Sequence, residues 1–388
     1  EVWLREHPPH LLFFTSLQQI DEDFPEEKVA VQIGDTFAMR SRVREQSRTE
    51  LLRRLAQQIL TQLERSSPEV HEAVAGTLSR EAIFGAATER PEWRLSKEQR
   101  DKLEERTARA AHSLLRTVRS ALASAPKPQA VLMLALTRTL DYLEKVLRDE
   151  FVLTLDAEGA CTKALLRTKH VKGAYVLGSA IDPEATFRLH GDRCDLGYNI
   201  GLTATNRFIR AIVGMTGATP DSKLVAPPLA EQRKELGLVP PKLIYDRAAG
   251  SPKTFAEVSA ATDGKTQLVA RLIDHAKANP RFGPHDCTLG ADGLLTFFIS
   301  DYAFHQRQAL AYLKTDAFTQ DMRLRPAIER IIACLVRYHG ARHADGYGLA
   351  SADYQAHMAA MAFNLRTWVT LTRERRKPKR ARPRDDSA

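Results

Sequence analysis

From about Arg44 to His170 the apolar residues recur at helical spacing, and strand patterns appear only on either side of that block. Leu51, Leu52, Leu55, Ile59, Leu60 and Leu63 fall on one face of a first helix. Ser96 is the natural N-cap of a second, which carries Leu103, Ala108, Leu114, Leu115 and Val118. A third is expected from about Gln129 to Phe151, after the Pro126-Lys127-Pro128 break. Ahead of the block stands one apolar, β-branched run, Val29-Ala-Val-Gln-Ile33, closed by Gly34-Asp35-Thr36. A sheet that uses this strand must therefore close around a large helical insertion.

From Val171 onward strands and helices alternate. Tyr198–Thr205 and Phe208–Val213 form an expected hairpin, and Asp221-Ser222 opens a helix toward Leu236. Lys242-Leu-Ile-Tyr-Asp246 is a short buried strand, Pro252 starts a helix, and Gln267–Ile273 is another strand. A second hairpin is expected over Cys287–Phe297, then helices over Phe304–Leu313, Arg325–Tyr338 and Tyr354–Leu371. With the insertion removed the order is β–β–β–α–β–α–β–α, an α/β chain. The expected divisions are a first strand within 1–44, an all-helical insertion over 45–170, the remaining core over 171–345, a C-terminal helix over 346–372 and a disordered basic tail over 373–388.

Composition narrows the function classes. Apolar residues at 43% and charged residues at 27% describe an ordinary globular protein. The longest apolar run, Ala130–Leu136, is far short of the ~18 residues that read as a membrane span. Cys161, Cys194, Cys287 and Cys334 form no Cys-x-x-Cys pair and suit a reducing, cytoplasmic setting without a disulfide framework. The N-terminus lacks the pattern of a secretory signal, and a first residue that is Glu1 and not Met is what is expected of a fragment or a trimmed chain. From Arg373 the tail holds eight basic and three acidic residues, more than half of the net charge of +9. Such a tail suits a polyanion, most simply nucleic acid, or serves only to keep the chain dissolved.

Three carboxylates occupy informative places. Asp35 and Asp246 are each expected at the end of an apolar strand, and Glu329 lies on a helix beside the stripe Ile328, Ile331, Ile332, Leu335 and Val336. Arg325, Glu329 and Arg337 are multiples of four apart and line up beside that stripe. Three such carboxylates suit two hard divalent cations clamping a phosphodiester. The plainer account is a pair of turn-capping aspartates and an ordinary Arg325–Glu329 helix-surface pair, and singly that account is the stronger. His339 and His343 have helical metal spacing, but Gly340 interrupts the helix, so a basic phosphate-touching loop with Arg337 and Arg342 fits better. No P-loop and no Gly-x-Ser-x-Gly motif occurs.

The words around these residues form an ordered set. Ser179-Ala-Ile-Asp-Pro-Glu-Ala-Thr-Phe-Arg188 with Leu196-Gly-Tyr-Asn-Ile200 resembles the "D-P-E/D-A-x-F/W … G-Y-N" stretch of bacterial insertion-sequence transposases of the DDE class. Leu243-Ile-Tyr-Asp-Arg-Ala-Ala-Gly250 is similar to the segment holding their second Asp. Leu324–Arg330 with Leu335–Arg342 resembles the helix of their Glu, and Ala360-Met-Ala-Phe-Asn-Leu-Arg366 their closing "A-x-x-x-N-L" helix. The resemblance covers about Val29–Arg44 and Val171–Val369. It departs at Met322 and Val336, where the related Tyr-x2-Arg-x3-Glu-x6-Lys signature has Tyr and Lys, and at Ala248-Ala249-Gly250, which stands for the family's A-G-Y and lacks its Tyr.

The resemblance implies an RNase H-like mixed sheet flanked by helices, with its first and fourth strands parallel neighbours. It implies Asp35, Asp246 and Glu329 as catalytic metal ligands for Mg2+, with Mn2+ as a substitute. Asp182, Glu184 and Asp195 fall outside the catalytic positions. Arg325, Arg337, His339 and Arg342 are the expected DNA contacts. The implied activity is cleavage and strand transfer at transposon ends by a nucleoid-associated dimer on double-stranded DNA. The alternative is a transposase-derived DNA-binding protein without catalysis.

Overall fold

In the computed structural model, the described residues are 10–376 apart from 87, 125–129, 169–175, 191–192, 274–286, 290, 292, 294 and 298–301. They divide into two compact units, one of Glu1–Arg40 with Tyr198–Ala388, the other Ser41–Gly197. The first unit opens with α1 (Leu11–Asp23), which buries Phe13, Phe14, Leu17 and Ile20. A 3-10 turn over Pro25–Val29 follows, then β1 (Gln32–Arg40). The strand thus begins later than its apolar run suggests. Pro25 donates no backbone hydrogen bond, and Val29 is 72% exposed. Asp35 consequently lies inside β1 and not at its end.

The second unit is built on α2 (Arg48–Ser66), α3 (Pro68–Thr77), α4 (Arg80–Phe84), α5 (Lys97–Ser124) and α6 (Ala130–Glu150). Ser47 caps α2 by accepting from Glu50 N–H, and Ser96 and Gln99 cap α5 reciprocally. The leucines read from the sequence are the buried ones: Leu52, Leu55, Ile59 and Leu63 pack with Leu114, Val118 and Leu143.

The unit is not all-helical. β2 (Phe151–Leu155) and β3 (Cys161–Leu166) form an antiparallel hairpin, a two-stranded sheet by itself. Its turn is set by Asp156, whose carboxylate accepts from Glu158 and Ala160 N–H, and by Gly159 at φ +78. The expected third helix ends where this strand begins, at Phe151, but the hairpin after it falls within the block expected to be all-helical. β4 (Thr186–His190) pairs antiparallel with the start of β5 (Arg193–Ala204), the strand that passes from one unit into the other.

In the first unit β5 continues and pairs antiparallel with β6 (Ile209–Thr216), the expected hairpin. Then come α7 (Ala226–Leu236), β7 (Lys242–Ile244), α8 (Pro252–Ala261, capped by Ser251) and β8 (Gln267–Val269). The strand order there is β6-β5-β1-β7-β8, with β1 parallel to β7 and β7 parallel to β8. This is a mixed α/β sheet whose central strand is the one that enters first. β7 is buried because parallel strands covered by helices need apolar faces on both sides: Leu243 joins Val225, Leu229 and Val258 in one core, and Ile244, on the opposite face of the strand, is wholly buried too. β9 (Cys287–Leu289) and β10 (Leu295–Phe297) make a separate hairpin.

The unit closes with α9 (Ala303–Leu313), α10 (Asp316–Met322), α11 (Pro326–Tyr338) and α12 (Leu349–Arg376). Asn364 on α12 takes Ile209 N–H and gives its amide to Ile209 C=O, both at 2.8 Å, which fixes the helix on β6. The tail is helical further than its charge suggests. Arg375 lies 3.8 Å over the Phe24 ring and donates to Asp23 C=O, so its guanidinium replaces lost hydration with a π face and an acceptor. Positions 377–388, the rest of the expected tail, lie outside the described residues. No described helix is long and apolar enough to cross a membrane.

Candidate active site

Asp35 stands at the middle of β1, Asp246 two residues past β7, and Glu329 on the first turn of α11, all in the first unit. The parallel pairing of Gln32 with Leu243 and Ile33 with Ile244 sends both strands out of the sheet on the same side. That register brings the two aspartates to neighbouring positions. α11 packs on β1 through its apolar stripe, of which Ala327, Ile328, Ile331 and Leu335 are buried, and this turns Arg325 and Glu329 toward the strand ends.

The three carboxylates meet on one guanidinium. Arg325 Nη1 donates to Glu329 Oε1 at 2.7 Å, and Nη2 donates to Asp35 Oδ2 at 3.2 Å. The same Nη2 lies 3.9 Å from Asp246 Oδ2. Each carboxylate has a further tie. Asp35 Oδ1 accepts Thr36 N–H at 2.8 Å, and Asp246 Oδ1 accepts Ala248 N–H at 2.9 Å, capping a 3-10 turn. Glu329 is the exposed member, with 61% of its side chain open. The acids approach one another through Arg325 and not directly. Among the described residues, the three side chains are not a group whose ligand atoms all lie within 4.8 Å.

Burial dominates the electrostatics of Asp35, pushing its carboxyl up from 3.8 to about 6. Thr36 N–H and Arg325 pull it down, while Asp246 and Asp221 raise it again. In the sequence Asp221 reads only as a helix opener. It accepts Asn199 Nδ2–H at 2.7 Å, and Asn199, wholly buried on β5, also donates to Thr219 C=O. The Asn of the Gly197-Tyr198-Asn199 word therefore fixes a fourth acid whose field reaches Asp35. The word itself was the only signal for it. Gly34 is a second residue that sequence reasoning passed over. A Cβ there would lie 2.5 Å from the Tyr245 ring, so the glycine lets β1 lie close to the residue before Asp246.

The remaining candidates are spread more widely. Arg337 and Arg342 are exposed, and Arg342 C=O accepts Arg40 N–H at 3.0 Å, extending the edge of β1. His339 turns inward instead: its ring packs edge-on against Phe363 at 6.1 Å, and burial, helped by Arg366, lowers its pKa. Asp182, in the second unit, accepts the Ser41 hydroxyl at 2.7 Å and is fully buried.

Compared with known proteins, residues 285–369 match the family described as Transposase DDE domain. The match includes Arg325, Glu329, Arg337, His339 and Arg342, and lies beyond Asp35 and Asp246. No curated protein and no solved structure matches the chain. The stretch that carries Glu329 and its arginine is thus similar to the DDE domain of transposases.

Proposed function

We propose that the first unit is an RNase H-like catalytic core that cleaves and joins DNA at the ends of an insertion sequence. On this reading the second unit, Ser41–Gly197, is an insertion after the first strand. The observation that carries it is the convergence of Asp35, Asp246 and Glu329 on Arg325, from two parallel strands and a helix distant in sequence. The strand order β6-β5-β1-β7-β8, with antiparallel pairing in β5–β6 and parallel pairing in β1–β7–β8, supports the fold assignment.

The donor set is all carboxylate oxygen, which hard divalent cations such as Mg2+ and Mn2+ take. The acids also already share one positive charge, so the position is built to hold a cation. Asp35, Asp246 and Glu329 would hold the ions. Bound there, divalent ions supply an activated water or 3′-hydroxyl and a charge against the leaving oxygen. The protein's own part is positional. Asp35 and Asp246 fix their carboxylates by backbone N–H donors, and Asp35 must lose its proton before it serves as a ligand. Arg325 holds Glu329 in place and carries a bidentate donor for a phosphate of the scissile strand. Arg337 and Arg342 meet phosphates along the duplex, which positions DNA without reading sequence. Two chains on paired ends would form the working assembly.

The test uses the full chain with DNA carrying the flanks of its own coding sequence. Nicking and strand transfer should require Mn2+ or Mg2+. Asp35→Asn, Asp246→Asn and Glu329→Gln should each lower the rate at least about 100-fold, more than loss of a ligand's supporting partner costs, with DNA binding retained. Activity surviving Asp35→Asn but lost in Asp182→Asn or Asp195→Asn would overturn the assignment of the first ligand. A wild-type chain that binds these DNA ends but never nicks them would favour the non-catalytic DNA-binding reading.

A further inference from the structure

In the first unit three more ligand-type side chains, none of them a member of the acid cluster, come together. His10 immediately precedes α1, Glu231 lies on α7 and His357 on α12. One atom from each lies within 4.8 Å of the others, the single such group among the described residues. His10 Nδ1 is 3.4 Å from Glu231 Oε1, and His357 Nε2 is 3.6 Å from the same oxygen. We propose that His10, Glu231 and His357 bind a divalent transition-metal ion, Zn2+ in the first place, which ties α1, α7 and α12 together.

The spacing argues for an ion between the atoms. A direct N–H···O bond would bring nitrogen and oxygen to 2.7–3.2 Å. Ligands held tetrahedrally at ~2.0–2.2 Å from zinc stand ~3.3–3.6 Å from one another, which both measured edges match. The hydrogen-bond accounting agrees. His357 is wholly buried, and its Nδ1 lies 2.9 Å from Asp353 C=O. A ring that gives its Nδ1–H to that carbonyl presents a bare Nε2 lone pair, the tautomer in which a second-shell acceptor leaves histidine ready to ligate. That Nε2 is buried with no hydrogen-bond partner, and so is Glu231 Oε2. His10 repeats the arrangement more loosely: its Nε2 faces Glu235 Oε1 at 3.3 Å, so one carboxylate stands behind the ring.

The surroundings also suit an ion. Phe13 meets the His357 ring edge-on at 5.6 Å, and Phe14 meets His10 at 5.9 Å, which gives the group an apolar wall. Asp353, behind His357, accepts Gly214 N–H at 2.6 Å and is thereby fixed. Two imidazoles and a carboxylate favour zinc or a neighbouring first-row metal over Mg2+, so this group does not duplicate the acid cluster. The second oxygen of Glu231 or a water completes four ligands. An ion that binds only the folded chain stabilises it, and here it would fasten the N-terminal helix to the body of its unit.

The proposal stands apart from the proposed nuclease activity, and its test reads metal binding alone. The full chain, carrying no histidine tag, is stripped with a chelator and titrated with Zn2+ against a chromophoric competitor. Co2+ is used in parallel for its visible absorption. One equivalent should bind per chain and raise the melting temperature. His10→Ala and Glu231→Gln should each weaken binding at least about 100-fold, beyond what losing a second-shell partner costs, while the helical circular dichroism is kept. Both residues are less buried than His357, so these variants fold where His357→Ala would not. Asp35→Asn should bind Zn2+ like the wild type. A wild-type chain that takes no Zn2+ from the competitor overturns the proposal, and so do His10→Ala and Glu231→Gln chains that bind as tightly as it does.

Discussion

Arg325 and Asp35 are 290 positions apart in the chain and 3.2 Å apart in the structure, guanidinium to carboxylate. That contact joins α11 to β1 and offsets part of the acid cluster's negative charge. Desolvation still prevails at Asp35, whose pKa stands at about 6.

The first prediction concerns pH. The folded carboxyl of Asp35 titrates about two units above its ordinary value of 3.8, so the folded state holds a proton that the unfolded state has released. Its contribution to stability is fully present below pH 3.8 and is lost as pH rises through about 6. The gap is worth roughly 3 kcal/mol. Denaturant unfolding of the metal-free wild type, set against Asp35→Asn, should lose about that much between pH 4 and pH 7. A difference that does not vary with pH would mean that Asp35 is not desolvated.

Gly34 gives a second. A methyl there meets Tyr245 Cε2 at 2.5 Å and Cδ2 at 2.6 Å, and Leu202 C=O at 3.3 Å on the other side. Tyr245 is buried, so its ring shifts only by giving up packing. Gly34→Ala should therefore cost about 1–3 kcal/mol, the usual penalty of overpacking, and displace Asp35 beside it. The control is Gly76→Ala, in α3 with nothing within 4 Å, which should gain about 0.5–1 kcal/mol from helix propensity. Equal melting temperatures for both variants would contradict the close approach of β1 to Tyr245.

How much of this was visible in the residues alone varies with the kind of signal. β7, α8 and α11 were legible because an apolar run, Ser251-Pro252 and a 3.6-residue stripe each act locally. The start of β1 was not, because Val29 is as apolar as Ile33 and only neighbouring strands decide which of them is buried. The β2–β3 hairpin was hidden by leucines that keep α6's register up to Phe151. Arg325 was the most misleading case. Its i,i+4 spacing to Glu329 explains it as a surface pair, and nothing local shows that it also reaches Asp35 and Asp246. Arg375 reads as tail charge in the sequence, although Phe24 and Asp23 meet it at the end of a helix.

A third prediction tests the anchoring of α1. Arg210 on β6 donates to both oxygens of Asp21, at 2.6 and 2.8 Å, and both residues are buried. Asp21→Ala leaves a buried guanidinium unpaired and should cost about 3–5 kcal/mol. The pair Asp21→Leu with Arg210→Met should recover most of that loss, since an apolar replacement leaves no orphaned charge. Urea midpoints of the single and double variants settle the matter. A double variant no better than the single one would show that the site cannot repack.

The last prediction returns to Arg325, which stands where a divalent cation would have to balance the same three acids. Its charge repels that cation, and its donors hold Glu329 in place. At pH 8, where Asp35 is ionised, removing the guanidinium leaves the carboxylates with more charge to share. Arg325→Ala should then bind Mn2+ tighter by about tenfold, or ~1.4 kcal/mol. Strand cleavage should nevertheless fall, because the bidentate donor for the scissile phosphate is gone. Arg325→Lys keeps the charge without the fork, so its Mn2+ affinity should stay near that of the wild type while cleavage is still impaired. Electron paramagnetic resonance of free Mn2+ measures the affinities, and nicking of labelled DNA gives the rates. Weaker Mn2+ binding by a folded Arg325→Ala chain would show that the guanidinium organises the carboxylates for the ion and does not compete with it.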